Sequence, residues 1–214
     1  PTIATKKNLS DILTKKDIFL LRDPIIFLKN INLKKNFINK NKYYVAIGRL
    51  TKQKNFNFLI DCFKSIIQKD GNIKLKILGE GENFDDLSKF IKKNNLQKNI
   101  FLEGYKSNVY EYLVNSEAFI LSTLWEDPGF VLVEAAYANT SIISSDCNNG
   151  PLEILDNGKN GFLFKSNNKE DFLKIFWNFK KTDPKSIYRK KINSKKMSKK
   201  YSLFNHYLKL KEII

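Results

Sequence analysis

Hydrophobic runs of strand length alternate along the chain with segments whose apolar residues recur at helical spacing. The strand-like runs are YYVAIG (43–48), IKLKILG (73–79), IFLEG (100–104), AFILS (118–122), SIISS (141–145) and GFLF (161–164). The helical patterns between them cover residues 56–69, 84–95, 109–116 and 130–138. This order predicts βαβ units, and therefore an α/β fold with a Rossmann-like parallel sheet and helices on both faces.

The two ends of the chain depart from this alternation. Residues 1–40 hold short polar pieces around one apolar stretch, IFLLRDPIIFLKNI (18–31), and are interpreted as a connector that enters the domain. From residue 186 onward the chain is rich in lysine with apolar residues at helical spacing, which predicts a terminal amphipathic helix over 186–214. A chain of 214 residues suits one complete domain, expected over 41–185.

The formal net charge is +16, from 38 Lys and Arg residues against 22 Asp and Glu residues. Such a surplus attracts nucleic acid, anionic lipid headgroups and phosphorylated substrates alike. The net charge alone therefore does not choose among these partners. Scattered lysines also fit a compositional bias, and the concentrated part is KKINSKKMSKK (190–200). No apolar stretch reaches the roughly 20 residues of a membrane span, and the opening residues do not resemble a signal peptide.

These features favour a cytoplasmic location, with the terminal lysines placed to meet the inner face of the membrane. The two cysteines, Cys62 and Cys147, lie far apart without metal-ligand spacing and are expected to be reduced thiols. No paired acidic metal motif is apparent, so no metal site is predicted.

Glycines follow three of the predicted strands, at Gly48, at Gly79 with Gly81, and at Gly104. In doubly wound sheets, ligands collect at the carboxyl ends of the strands, where glycine lets the backbone approach phosphate closely. The pattern indicates a nucleotide pocket. Glycines with a purely structural purpose at strand ends are the alternative.

Two acids bracket a turn in LWEDPGFVLVEAA (124–136). Glu126 and Glu134 are separated by seven residues, and DPGF is expected to open a helix with Pro128 near its first position. The free amides of that helix, on Gly129, Phe130 and Val131, would favour a diphosphate, and the carboxylates would accept hydrogen bonds from sugar hydroxyls. A dipole-stabilised acid in the first helical turn is the alternative interpretation of Glu134.

Two cations follow the first predicted strand in GRLTKQKN (48–55). Arg49 and Lys54 lie on the loop before a helix, where they can neutralise a diphosphate leaving group as its negative charge grows. Two solvated loop cations are the simpler alternative.

Together these stretches resemble the family 4 (group 1) glycosyltransferases, which are retaining enzymes of the GT-B fold. The resemblance covers residues 43–165 and rests on motifs in a shared order: GRL (48–50) with Lys54, GEG (79–81), GYKSN (104–108), Glu126 with GFVLVEA (129–135), NGPLEIL (149–155) and NGKNGFLF (157–164). The chain departs from the family pattern at YANTSII (137–143), where Asn139 replaces a glycine and Ser141 a proline. Asn tolerates the left-handed cap conformation, so the turn is expected to survive.

The resemblance implies the C-terminal, nucleotide-sugar-binding domain of such an enzyme, with an N-terminal domain that binds the acceptor. Arg49 and Lys54 would hold the diphosphate next to Gly48, and Glu126 would face the transferred sugar. Glu134 would hold the ribose, with the amides of residues 129–131 near sugar and phosphate. The loop of Gly104, Tyr105 and Lys106 would contact the base.

The resemblance further implies a UDP-sugar donor, a glycan or polyprenyl-linked acceptor, no cofactor and no metal. His206, the only histidine, is expected to have no acid or base role. Two alternatives remain open at this point: a GT-B sugar-nucleotide epimerase, and a basic nucleic-acid-binding module, which net charge alone supports. No nucleic-acid partner is expected.

Overall fold

The computed structural model describes residues 1–13, 18–26 and 43–214. The strands are β1 Tyr44–Ile47, β2 Leu75–Leu78, β3 Ile100–Gly104, β4 Ala118–Leu121, β5 Ile142–Ser145 and β6 Phe162–Phe164. The helices are α1 Ile3–Ile12, α2 Phe56–Lys69, α3 Phe84–Lys93, α4 Val109–Asn115, α5 Phe130–Tyr137, α6 Pro151–Ile154, α7 Lys169–Lys181, α8 Pro184–Ser198 and α9 Leu203–Ile213. Short 3₁₀ turns lie at Lys52–Lys54 and Lys199–Tyr201.

The six strands form one parallel sheet in the order β3-β2-β1-β4-β5-β6. The chain moves outward from β1 to β3, returns to the centre, and then continues outward from β4 to β6. The predicted α/β class is therefore confirmed. In such doubly wound sheets the direction of winding changes between the two central strands, and the crevice at that point is the usual ligand site.

Residues of the strands alternate between two cores, one on each face of the sheet. In β1, Tyr44 and Ala46 belong to the core beneath α2, α3 and α7, whereas Val45 and Ile47 belong to the core beneath α4 and α5. The first core is aromatic, with the Tyr44 ring 4.9 Å from that of Phe176. Helices thus cover both faces, as predicted.

The outer segments are more helical than the sequence pattern indicated. The predicted connector over 1–40 includes α1, whereas residues 14–17 and 27–40 lie outside the described residues. The predicted terminal helix is divided: α8 packs on α5, and a 3₁₀ turn with the buried Tyr201 separates it from α9. The division into connector, domain and terminal segment stays a prediction.

Helix α7 was not predicted, although its signals are present in the sequence. The Asn168 side chain accepts a hydrogen bond from the Asp171 amide at 2.9 Å, which caps the helix, and Phe172, Phe176 and Phe179 repeat at helical spacing. The motif NGPLEIL (149–155), for which no helix was predicted, contains the one-turn helix α6.

Both cysteines are free and buried, as expected. Burial raises the pKa of the Cys62 thiol to about 12 and that of the Cys147 thiol to about 11, so both are protonated at neutral pH. Among the described residues, no helix combines the length and hydrophobicity needed to cross a bilayer.

The loops after β1 and β2 are packed backbone to backbone. The Gly48 amide donates to the Leu78 carbonyl at 3.0 Å, and the Leu50 amide donates to the Glu80 carbonyl at 2.8 Å. A Cβ atom on Gly79 would stand 2.0 Å from the Gly48 carbonyl oxygen, and Gly79 has a φ of 135°. Glycine at position 79 is therefore required by the neighbouring loop, which is the structural alternative considered above.

We predict that Gly79→Ala lowers the free energy of unfolding by at least about 2 kcal/mol, because the added methyl group forces the two loops apart. Urea denaturation monitored by circular dichroism measures the change. Gly71→Ala is the matched control, since a Cβ at that position meets no atom within 4 Å. Equal denaturation midpoints for the two variants would contradict the assigned packing.

Candidate functional site

A cavity of about 840 Å³ lies at the carboxyl edge of the sheet. The ends of β1, β2 and β4 contribute Ile47, Leu78 and Leu121 to its wall, so it stands at the point where the winding of the sheet changes direction. This is the place where parallel α/β sheets bind their ligands. Its size is sufficient for a ligand as large as a nucleotide sugar.

Nine of the eleven residues predicted for the site line this cavity: Gly48, Arg49, Lys54, Tyr105, Lys106, Glu126, Gly129, Phe130 and Val131. The remaining two, Gly104 and Glu134, do not line it. Gly104 immediately precedes Tyr105, and Glu134 follows Phe130 by one helical turn on the same face of α5. The structure therefore brings the three sequence motifs that hold these residues to one place.

Buried hydroxyl groups after β4 fix the turn that carries Lys54. The Ser122 hydroxyl donates to the Lys54 carbonyl at 2.8 Å, and the Thr123 hydroxyl donates to the Gln53 carbonyl at 3.1 Å. The Leu124 amide donates to the same Gln53 carbonyl at 2.9 Å. The position of Lys54 thus follows from the segment that leads to Glu126.

Lys54 and Glu126 form an ion pair inside the cavity wall. Their side chains are only 13% and 6% exposed, so the pair is shielded from solvent and each charge depends on the other. Arg49, in contrast, is exposed and has no ion-pair partner among residues 1–13, 18–26 and 43–214. The two predicted cations therefore differ: Arg49 is available to a ligand outright, and Lys54 is shared with an acid.

Helix α5 starts where the apolar pattern predicted, but Pro128 is not near its first position. Its first residue is Phe130, preceded by Gly129 in the left-handed conformation at φ 88°. Pro128 consequently lies outside the helix, and Glu134 lies in its second turn, which removes the first-turn interpretation of that acid. The Gly129 backbone rests on Glu126, whose Oε2 would be 3.5 Å from a Cβ at position 129.

The amides of Gly129, Phe130 and Val131 make no hydrogen bond within the part of the chain that the structure describes. They form the positive end of α5 at the cavity and can donate to an anion.

At the other end of the helix, Asn139 adopts φ 60°, so the turn survives the replacement of glycine, as expected.

Glu134 is largely buried in the second turn of α5. Burial raises the pKa of its carboxyl group from 4.5 to about 7, and it has no ion-pair partner among the described residues. The carboxyl group is therefore held close to its midpoint at neutral pH. Hydroxyl groups that donate to it would stabilise the ionised form.

Several lining residues were not predicted, among them Gln53, Trp125, Asn148 and Asn149. The first two belong to the motifs that were recognised: the Gln53 amide donates to the Trp125 carbonyl at 2.8 Å and joins these motifs. Asn149 opens the recognised motif NGPLEIL (149–155), and Asn148 directly precedes it. His206 lies in α9 outside the cavity, with its Nδ1 2.7 Å from the Arg22 carbonyl oxygen.

A doubly wound parallel sheet with a cavity at its winding change defines an α/β domain of the nucleotide-binding type. The family described as glycosyl transferases group 1 matches residues 29–197. The chain belongs to this family, and the predicted resemblance is confirmed. The family also favours a glycosyltransferase over an epimerase or a nucleic-acid-binding module.

Known relatives support the assignment. The chain is 42% identical over 136 residues to an uncharacterized glycosyltransferase of Methanocaldococcus jannaschii, covering 62% of this chain and 34% of that protein. It is 29% identical over 175 residues to a Campylobacter jejuni N-acetylgalactosamine-N,N'-diacetylbacillosaminyl-diphospho-undecaprenol 4-alpha-N-acetylgalactosaminyltransferase, covering 79% of this chain and 47% of that enzyme. The chain thus spans a third to a half of the length of these relatives.

A solved structure shows the same fold. A TarM variant of Staphylococcus aureus, in complex with fondaparinux, alpha-GlcNAc-glycerol and UDP, superimposes with a TM-score of 0.84. The match covers 99% of this chain and 42% of that one, at 24% sequence identity. The similarity confirms the predicted fold.

We predict that Glu134 makes stability fall as the pH rises. Its folded-state pKa of about 7 exceeds the ordinary 4.5, so the folded state holds the proton more tightly than the unfolded state. This stabilisation is fully present below pH 4.5 and is lost as the pH rises through about 7. The expected loss is about 1 to 3 kcal/mol.

Urea denaturation at a series of pH values between these limits measures the effect. Glu134→Gln should flatten the decline, because glutamine does not titrate. Glu111→Gln, which changes an exposed acid on α4, should leave the decline unchanged. The same decline in all three proteins would show that another group causes it.

Proposed function

We propose that this domain binds a UDP-sugar in the cavity and, within a longer enzyme, transfers the sugar to a glycan or lipid-linked acceptor with retention at the anomeric carbon. The observation that carries the proposal is the convergence, at one point of the sheet, of Arg49, the Lys54–Glu126 pair and the free amides of α5. Retention is proposed from the resemblance to the family 4 enzymes.

The diphosphate of the donor would lie between Arg49 and the amides of residues 129–131. A guanidinium group and a helix N-terminus both favour an anion, and neither has a competing partner among the described residues. Lys54 has three hydrogen-bond donors, so it can keep its contact with Glu126 while it donates to a phosphate oxygen. These cations would stabilise the charge that grows on the departing UDP.

The rest of the donor would extend in two directions from the diphosphate. Towards the sugar, Glu126, held in place by its pairing with Lys54, would accept hydrogen bonds from hydroxyl groups. In the other direction, Glu134 would hold the ribose hydroxyls. Tyr105 is 71% exposed at the cavity and, with Gly104 and Lys106, would stack on or contact the base.

We propose that the reaction needs neither a metal ion nor a cofactor, because protein cations occupy the position where a divalent ion would neutralise the diphosphate. The described residues contain no cluster of three or more potential metal ligands. The proposed location is cytoplasmic, which suits two free thiols.

The acceptor and the membrane contact are proposed from the relatives and from the charge of the terminal helices. The Campylobacter relative is named for a diphospho-undecaprenol-linked substrate, and a Staphylococcus aureus relative for poly(ribitol-phosphate). The lysines between residues 190 and 200, on α8 and the turn after it, would attract an anionic membrane surface. Exposed apolar residues of α9 would support that contact.

We predict that UDP and UDP-sugars bind the domain and raise its melting temperature, and that Arg49→Met weakens UDP binding about tenfold. Loss of one charged hydrogen-bond partner accounts for that magnitude. Isothermal titration calorimetry measures both proteins. Lys52→Met is the matched control, because Lys52 is an exposed cation on the same loop that does not line the cavity. If the Arg49 variant binds UDP with unchanged affinity, Arg49 is a solvated loop cation that does not contact the ligand.

We predict a different pattern for the two acids. Glu134→Gln should weaken free UDP and UDP-sugar alike, by about ten- to hundredfold, because the ribose is common to both ligands. Glu126→Gln should spare free UDP, since removal of its charge leaves Lys54 free for the phosphates, but should weaken the sugar-dependent part of binding. Calorimetry with both ligands decides the matter, and equal losses of UDP affinity in the two variants would contradict the division of roles.

A further inference from the structure

A second cavity of about 820 Å³ adjoins the first. Asn148 and Asn149 line both cavities and form the boundary between them. The walls of the second cavity come from α1, from α6 with the loop after it, and from the end of α8 with the turn that follows. We call it the polar groove.

Helix α1 is fixed in place as one wall of the polar groove. The Ile3 amide donates to Glu153 Oε2 at 2.7 Å, and the Thr5 hydroxyl donates to the Asp127 carboxylate at 3.1 Å. Thr2, fully buried, caps the helix by accepting a hydrogen bond from the Thr5 amide at 3.1 Å. The groove is therefore formed before any ligand binds.

The lining of the polar groove is rich in groups that bind hydroxyls and anions. Its carboxamides belong to Asn8, Asn148, Asn149, Asn157 and Asn160. None of their side chains has a hydrogen-bond partner in the described part of the chain, and the same holds for the ammonium groups of Lys7 and Lys200. A carboxamide offers both donors and acceptors to sugar or polyol hydroxyls, and an ammonium group suits phosphate.

The acids of the polar groove do not cancel these two cations. Glu153 is paired with Arg22 and also accepts the Ile3 amide, and Asp156 is paired with Lys159 at 3.4 Å. Lys7 and Lys200 are thus cations of the groove without an ion-pair partner among the described residues, and they stand beside neutral hydrogen-bonding groups. This combination fits a hydroxyl-rich ligand that carries phosphate.

The position of the groove relates it to the transferred sugar. Asp127 lines the donor cavity and contacts α1 of the polar groove, and it directly follows Glu126, the residue proposed to face the sugar. We propose that the polar groove is an acceptor subsite that binds a polyol phosphate or glycosyl phosphate next to the donor. This inference rests on the proposed function, and it gives this domain a part in acceptor binding that was expected of the N-terminal domain alone.

Two sources supply this chemistry, a phosphodiester-linked polyol chain and a sugar attached through a diphosphate to a lipid. The probes are a glycerol phosphate trimer and N-acetylglucosaminyl diphosphate bearing a short prenyl chain. Each is titrated into the 214-residue chain saturated with UDP, so that the donor cavity is occupied. Saturable binding of one probe and not the other identifies the source, and either result supports the groove.

The decisive comparison uses two double variants that remove the same net charge. Lys7→Gln with Lys200→Gln removes both cations of the groove and is expected to weaken probe binding about tenfold. Lys6→Gln with Lys199→Gln changes exposed neighbours that do not line the groove, and should alter the affinity less than about twofold. Inorganic phosphate should bind more weakly than the probe that binds, since it has no hydroxyl groups for the carboxamides to contact.

UDP affinity, measured in every variant, separates this inference from the proposed function. Normal UDP binding with no binding of either probe overturns the polar groove and leaves the donor site intact. Equal losses in the two double variants, or displacement of the probe by UDP, also overturn it. Failure of UDP itself to bind the unaltered chain overturns the proposed function.

Discussion

The central strand β1 is the constraint on which the rest of the structure depends. It is four residues long, buried throughout, and hydrogen-bonded in parallel to β2 on one side and β4 on the other. Because these strands run in the same direction, their carboxyl ends deliver three loops to a single edge. One loop carries Arg49 and Lys54 and another carries Glu126, although more than 70 residues separate Lys54 from Glu126 in sequence. The site is a consequence of strand order.

Within that edge, the Lys54–Glu126 pair joins two loops that are already connected, because the Ser122 and Thr123 hydroxyls donate to the Lys54 and Gln53 carbonyls. A buried pair of this kind is costly to break, since the remaining charge would be left without a partner. It therefore holds both side chains in one arrangement before a ligand arrives. Preorganised charge is the form in which electrostatic stabilisation is most effective, because no reorganisation is needed during the reaction.

The alternating pattern predicted all six strands and, of the helices between them, all but α6, because each of these has a clear apolar period. Nine of the eleven predicted site residues line one cavity, since ordered motifs mark the loops, and their roles stay predictions. What the sequence did not reveal depends on tertiary contact: the ion pair of Lys54, the approach of Gly79 to Gly48, and the docking of α1 through Glu153. Helix α7 is different, because its cap residue and its phenylalanine repeat are both visible in the sequence.

The pairing of carboxylates near the two cavities determines how much of the positive charge of the chain acts on a ligand there. Near the two cavities, Glu126, Glu153 and Asp156 are each paired with a cation, which reduces their repulsion of an anionic ligand. Glu80 and Asp127 also line the donor cavity and have no ion-pair partner among the described residues. Glu134 has no such partner among the described residues, and burial holds its pKa at about 7. The cations at this edge of the sheet suit a phosphate group. If Glu134 holds the ribose, as proposed, hydroxyl groups that donate to its carboxylate would favour the ionised form.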